Sequence, residues 1–336
     1  GLILLSTLLM SCQLGSNKSD ITITVFTERH YDTDQQLYDR FTELTGIKVD
    51  LIRDEADKLI TRLQNEGEDT IADLLIIADA GRLGRAKSFD LLQPITSDIL
   101  EENVPSGYKD PENYWYGLTM RARVFVYHPD RVDVEDLSTY EDLTDARWAG
   151  RIVTRTSTNI YNQSLMASMI ALKGEEGAKQ WAEGIVQNFA RDPQGNDRDQ
   201  AKAVVAGDAD LAIMNTYYIG RMMYSSDPNE VIVGETVRIF FPNQDTTGTH
   251  INVSGIGLTK HAKQSEHALK LMEFLTSVEA QSSYAHANYE YPIHPEVEPH
   301  ELLVSWGTFK KQEIDLALLA THSSKAIMIL NEVGWK

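Results

Sequence analysis

The sequence predicts an α/β protein built as two lobes. Two observations point there: short apolar strands alternate with amphipathic helices along the chain, and 336 residues exceed one ordinary hydrophobic core. Residues 21–26, ITITVF, alternate and are rich in β-branched side chains, and read as the first strand. A helix follows with Leu37, Phe41 and Leu44 on one face and Gly46 as its stop. Residues 47–52 form a second strand and 55–67 a helix through Leu59, Ile60 and Leu63. Leu74-Leu75-Ile76-Ile77 is an unbroken apolar run of the kind buried in a parallel sheet. After Tyr114-Trp115-Tyr116-Gly117 the alternation resumes, with a strand at 123–127, a helix near 141–148 and a strand at 152–154. Long helices then cover 162–172 and 175–189, and 211–214 is another buried strand. Residues 237–241 and 251–258 read as strands joined by the polar stretch PNQDTTGTH, and 265–275 as a helix with Leu269, Leu271, Met272 and Leu275 inward.

Composition narrows the function classes. With 42% apolar and 24% charged residues the chain can fill packed cores. Lys+Arg 31 against Asp+Glu 50 gives a net charge of -19, which repels phosphate backbones and argues against nucleic acid. The single cysteine, Cys12, excludes intramolecular disulfides, iron–sulfur clusters and cysteine zinc sites, so any metal must take oxygen or nitrogen ligands. Gly255-Ile256-Gly257 lacks the third glycine of a dinucleotide loop, and no G-x-S-x-G, H-E-x-x-H or Walker A pattern occurs.

Residues 1–11, GLILLSTLLMS, are uncharged and fit the apolar core of a secretory signal, which makes them a signal-peptide remnant. Leu9-Met10-Ser11-Cys12 resembles a bacterial lipobox, so Cys12 is expected to carry lipid; the alternative is a buried terminal segment with an incidental cysteine. Residues 12–20 then form a polar tether, the layout of a periplasmic domain held away from a membrane. A secreted, acidic, tethered chain with two α/β lobes suggests a monomeric solute-binding protein with its ligand in the interlobe cleft. Strands crossing between the lobes are expected at about 118–126 and 246–256. They divide the chain into an N-terminal lobe of 21–120 plus 247–290 and a C-terminal lobe of 121–246 plus 291–336.

Three loops carry the candidate chemistry. His30-Tyr31 follows the first strand at its C-terminal end, where open α/β sheets place ligands. Tyr161, in Asn159-Ile160-Tyr161-Asn162-Gln163, lies at the start of a helix with Thr156, Ser157 and Thr158 available as caps. Tyr217-Tyr218 comes just past a buried strand, where adjacent rings converge only in a turn. Singly, a His-Tyr pair in a loop is more often a surface or partly buried hydrogen-bonding pair, Tyr161 reads equally well as a core tyrosine opening an amphipathic helix, and adjacent tyrosines in a loop usually carry no function. Jointly they bring four phenols to one cleft. Phenolate is a hard oxygen donor, and a phenol of pKa about 10 gives up its proton near neutrality only to something like a trivalent cation, which ferric iron satisfies. Four phenolates around Fe³⁺ leave one excess negative charge, so a cation should stand nearby. Arg121, Arg123 and Arg221 flank the loops, and Arg121 and Arg221 are the preferred candidates.

At these residues the chain resembles the ferric-iron-binding periplasmic proteins of ABC importers, in particular the Fut-type subgroup. The carriers are VFTERHYDTDQQLYDRFTELTGIKV, TSTNIYNQSLMASMI, GDADLAIMNTYYIGR and GIGLTKHAKQSEHALKLMEFLTS, and the likeness runs from about residue 21 to the end. The resemblance implies a type II periplasmic-binding-protein fold whose lobes, joined by two crossing hinge strands, close on the metal. It implies that Tyr31, Tyr161, Tyr217 and Tyr218 hold Fe³⁺ as bound cargo, that His30 completes the sphere, and that iron passes to an inner-membrane ABC permease without enzymatic turnover. Better-known relatives use a glutamate from the loop after the third strand together with a borrowed anion. Here that loop reads Ala78-Asp79-Ala80-Gly81-Arg82, with no glutamate. Two other readings stay open on the residues alone: a cationic organic solute such as thiamine or a polyamine stacked on the tyrosines, and a secreted metal-dependent enzyme with His30 as its base.

Overall fold

β1 (Thr22–Thr27) half-buries Thr22 and Thr24, buries its other four side chains, and pairs in parallel with β2 (Lys48–Arg53) on one side and β3 (Leu74–Ile77) on the other. The chain is described by a computed structural model over residues 21–336. The expected signal remnant, tether and lipidation of Cys12 lie outside the described residues. α1 (Asp32–Thr45) buries Leu37, Tyr38 and Phe41 and ends where Gly46 turns left-handed at φ 74, its N–H bonding Thr42 O at 2.8 Å. α2 (Ala56–Glu66) and α3 (Ala80–Ser88) complete the βαβ alternation. All four side chains of β3 are fully buried, worth about 1.5–3 kcal/mol each by transfer from water.

β4 (Leu92–Gln93) and α4 (Asp98–Asn103) lead to β5 (Tyr116–Tyr127), whose twelve residues are all buried. β5 belongs to both halves of the molecule. From Tyr116 to Ala122 it lies antiparallel to β9 (Ile251–Thr259), and from Arg123 to Tyr127 it switches to β7 (Leu211–Asn215), with β8 (Arg238–Phe240) also along its C-terminal half. β6 (Ile152–Val153) pairs in parallel with β7, and β9 lies between β3 and β5, giving the order β2-β1-β3-β9-β5-β7-β6. β10 (Tyr291–Pro292) adds to the N-terminal half of β5.

Helices cover both sheets. α5 (Ile160–Gln187), α6 (Asp197–Ala206), α7 (Thr216–Met223) and α8 (Pro228–Thr236) precede β8. α9 (Ser265–Thr276) and α10 (Val278–Asn288) follow β9. α11 (Glu301–Ser305), α12 (Ala317–Thr321) and α13 (Ser323–Glu332) close the chain, α12 lying against α3 and α5 and α13 against α5. Among the described residues no helix is long and apolar enough to cross a membrane.

Two sequence expectations differ from this. The helix near 141–148 is a pair of 3-10 turns, Glu141–Thr144 and Ala146–Trp148, because Asp145 between them is extended at ψ 140 and caps the second turn through Arg147 N–H. The helices expected at 162–172 and 175–189 are two halves of α5, parted by Gly174 at φ 72 and ψ 171, a backbone conformation open to glycine.

Candidate metal centre

Tyr161 enters the cleft from the first turn of α5, and the cap of that helix is Asn159, whose side chain accepts the Tyr161 N–H at 3.1 Å; Thr156, Ser157 and Thr158 do not take the role. Tyr217 and Tyr218 follow β7 directly, in the first turn of α7, with ring centroids 4.3 Å apart. Neighbours on a helix are rotated by about 100° rather than sent to opposite faces as in a strand, so both rings reach the same region. The phenol oxygens of Tyr161 and Tyr217 stand 3.0 Å apart and those of Tyr161 and Tyr218 3.5 Å. Two helix N-termini thus point at one cluster of phenols, and their dipoles favour negative charge there.

Arg123 brings these turns together. Its buried guanidinium donates through Nη1 to Asp197 at 2.8 Å and Asn215 at 3.2 Å, and through Nη2 to Asn162 at 2.7 Å. Asn162 follows Tyr161 and Asn215 precedes α7, so one side chain on β5 fixes both tyrosine-bearing segments. Asp197 also accepts Arg155 at 2.8 Å and the Asn215 N–H at 3.2 Å. Arg123, passed over in the sequence as a charge-compensating residue, is instead the anchor of the site.

Tyr31 is the residue before α1, on the other side of the cleft. Arg29, 4% exposed, bonds Asp34, Glu290 and Ser254, and its guanidinium lies 5.1 Å from the Tyr31 ring centroid. Arg221 on α7 stands 4.9 Å from the same ring, so Tyr31 meets the helix that carries Tyr217 and Tyr218. His30 is exposed, with its ring 5.2 Å from that of Tyr31 and Nδ1 3.3 Å from Glu28 O. A cavity of about 120 Å³ is lined by His30, Tyr31, Tyr161 and Tyr217 together with Arg121 and Glu28; Tyr218 reaches the cluster through its hydroxyl.

Burial keeps the phenols of Tyr31, Tyr217 and Tyr218 protonated near neutrality. Burial, reinforced by the charge of Glu290, pushes the Tyr31 phenol up to about 12. Burial and then the neighbouring phenols push Tyr217 well above its ordinary value, and burial followed by Tyr161 and Asp197 does the same for Tyr218. Positive charge surrounds them. Arg121, 3% exposed, lies 5.6 Å from the Tyr161 ring and Arg155 5.4 Å. Nη1 and Nη2 of Arg121 have no hydrogen-bond partner among the described residues, and the Asp79 carboxylate is 3.9 Å away. A buried guanidinium in that state lacks an acceptor that a negatively charged ligand cluster would supply.

The structure therefore gathers Tyr31, Tyr161, Tyr217, Tyr218 and His30, with Arg121 and Arg221 beside them. Sequence reading missed Arg29, Arg155, Glu28 and Glu290. The last joins Arg29 across 261 positions, and no local signal marks it. Asp79 in the loop after β3 is fully spent, capping α3 through Arg82 N–H at 2.8 Å and accepting Ser164 Oγ at 2.7 Å and Asn252 Nδ2 at 2.8 Å. Among the described residues no group of three or more His, Cys, Asp or Glu side chains is arranged to hold a metal.

Known proteins share this architecture. The iron uptake protein A1 of Synechocystis sp. is 48% identical over 314 residues, covering 94% of this chain and 87% of the relative. The structure of the Trichodesmium protein IdiA, or FutA, in complex with iron and citrate superposes with a TM-score of 0.91 at 45% identity, over 94% of this chain and 100% of the other. A ferric binding protein from Campylobacter jejuni superposes with a TM-score of 0.89 at 42% identity and the same coverage. Residues 69–309 match the family model for bacterial extracellular solute-binding proteins, and with that match over most of its length the chain belongs to that family.

Proposed function

We propose that this protein binds Fe(III) in the tyrosine-lined cleft and delivers it to an inner-membrane ABC permease for iron uptake. The observation that carries the reading is the convergence of the Tyr217 and Tyr218 hydroxyls within 3.5 Å of that of Tyr161, with Tyr31 lining the same cavity. Phenolates supplied by Tyr31, Tyr161, Tyr217 and Tyr218 form the ligand set, and His30 at the cavity mouth adds its imidazole. Arg121 and Arg221 balance the excess negative charge. The guanidiniums that crowd these rings oppose an organic cation stacked on the tyrosines, so thiamine or a polyamine is disfavoured.

The division into lobes of 21–120 plus 247–290 and 121–246 plus 291–336 fits the reading, since Tyr31 then comes from one lobe and Tyr161, Tyr217 and Tyr218 from the other. Capture begins on the three clustered phenols, and closure about β5 and β9 brings Tyr31 and His30 over the ion. The protein acts as a periplasmic monomer, held to the membrane by lipid on Cys12, and carries cargo without turnover. Release follows protonation of the tyrosinates or reduction, because Fe²⁺ binds phenolate more weakly. Purified protein given ferric citrate should develop the broad visible absorption of ferric tyrosinate. A colourless protein with an unchanged melting temperature would refute the assignment.

A further inference from the structure

A buried hydrogen bond that involves none of the tyrosines joins the two sides of the molecule. Asp79, which caps α3, is fully buried, and its Oδ2 accepts Ser164 Oγ from α5 at 2.7 Å. Asn252 on β9 donates to the same oxygen at 2.8 Å while its own Oδ1 accepts the Ala80 N–H at 3.0 Å. Asp79 falls in the first of the lobes proposed above and Ser164 in the second. Ser164 stands three residues after Tyr161, on the same face of α5, and the two line one small cavity with Arg121 and Asn252. On the other side Ala78, the residue before Asp79, donates its N–H to Glu28 Oε1, and Glu28 lies three residues before Tyr31. A run of hydrogen bonds and chain neighbours thus leads from the helix that carries Tyr161 to the loop that carries Tyr31.

The surfaces near this bond are cut for close approach. α12 lies against both α3 and α5, and α3 meets it with glycines: a Cβ at Gly84 would come within 2.5 Å of Ala320 Cβ, and one at Gly81 within 3.4 Å of the Leu319 backbone. In a seam sealed from water, a hydrogen bond to a carboxylate is stronger than in solvent, and breaking it leaves an acceptor to be resolvated. We infer that Asp79 and Ser164 are positioning residues for iron retention: their bond forms as the cleft shuts and holds Tyr31 over the ion by tying its loop to the helix of Tyr161. Opening must break that bond, so the tie slows release without adding a ligand. The inference rests on the ferric reading and the lobe division above.

The test measures, by stopped flow, the rate at which EDTA strips iron from wild type, Ser164→Ala, Tyr31→Phe and the double variant, each loaded from ferric nitrilotriacetate. Ser164→Ala leaves Asp79 its bonds from Arg82 N–H and Asn252 Nδ2. Its apo melting temperature and the wavelength of its visible band should match wild type, because the tie belongs neither to the open form nor to the ligand set. Iron loss should be at least about tenfold faster, the scale of a lost hydrogen bond to a charged group. In Tyr31→Phe, where no phenolate is left on that side to hold down, the same change should accelerate loss by less than about twofold. An unchanged rate in Ser164→Ala would overturn the inference. So would equal acceleration in both backgrounds, which would mean that Ser164 acts on Tyr161 alone, or a lowered apo melting temperature, which would place the bond in the open form as well. Each of these leaves the tyrosine site standing, whereas a wild-type protein that stays colourless would overturn the ferric reading and this inference with it.

Discussion

Ferric loading should expel protons in a number fixed by which phenols become ligands. Burial holds Tyr31 at about 12 and pushes Tyr217 and Tyr218 above their ordinary value, so near neutrality these hydroxyls keep their protons in the empty site. An ion that takes all three as phenolates must displace one proton from each. The loaded state then carries fewer protons than the empty one, so rising pH favours loading, and this continues until the empty-site phenols ionise by themselves. Each displaced proton changes the affinity tenfold per pH unit, about 1.4 kcal/mol, so these three ligands together contribute about a thousandfold per unit, or about 4 kcal/mol, to the slope. Tyr217→Phe removes one of the three and should lower the slope by about tenfold per unit. Calorimetric titration with ferric nitrilotriacetate around neutral pH, in buffers of contrasting ionisation heat and corrected for ferric hydrolysis and chelator protonation, reads the count directly. Fewer than two protons released by the wild type, or an unchanged count in Tyr217→Phe, would show that these phenols do not ligate.

Four further outcomes follow from the geometry. Tyr217→Phe combined with Tyr218→Phe should abolish tight ferric binding and the visible band while leaving the circular dichroism of the apo protein unchanged. Asp197→Ala strands the buried Arg123 and should cost about 3–5 kcal/mol of stability in denaturant titration, with faster iron loss because the turns holding Tyr161 and Tyr217 are no longer anchored. His250 is buried with Nδ1 3.0 Å from Gln312 Oε1, and burial lowers its pKa from 6.5 to about 4. Between those values the unfolded chain takes up a proton on this ring and the folded one does not, so stability should be complete above about pH 6.5 and decline by up to about 3 kcal/mol as pH falls toward 4, and His250→Gln should flatten that limb. A Cβ at Gly220 would come within 2.6 Å of Tyr289 Cβ and Cγ, so Gly220→Ala should destabilise the packing of α7 by about 1–3 kcal/mol, measured by thermal melting.

The apolar strands were legible because their signal is local. Leu74–Ile77 falls where its unbroken run places it, and Gly46 ends α1 for the reason its position suggests. β5 was harder to read. Its apolar run marked 123–127 and its place between the lobes marked about 118–126, but neither reading reached its full span from Tyr116 to Tyr127, where Arg121 and Arg123 are charged and nonetheless buried. Arg123 is tolerated there because Asp197, Asn215 and Asn162 arrive from distant segments to satisfy it. The tyrosines could be picked out because each sits just beyond a strand or at a helix start, where chain ends of an α/β sheet converge. Glu28 and Glu290 could not, since an acidic residue in a loop looks the same in sequence whether it meets solvent or a buried guanidinium.

The placement of β9 between β3 and β5 also constrains how the molecule is made. Its residues, 251–259, are synthesised long after both neighbours, so a nascent chain presents β3 and the first half of β5 as unfilled edges across a vacant slot. The β5–β7–β6 sheet, by contrast, has all its strands by residue 215 and β8 by residue 240. Maturation therefore runs against chain order: the sheet begun first is closed last, and until then its open edges are what a chaperone or a second unfinished chain would find.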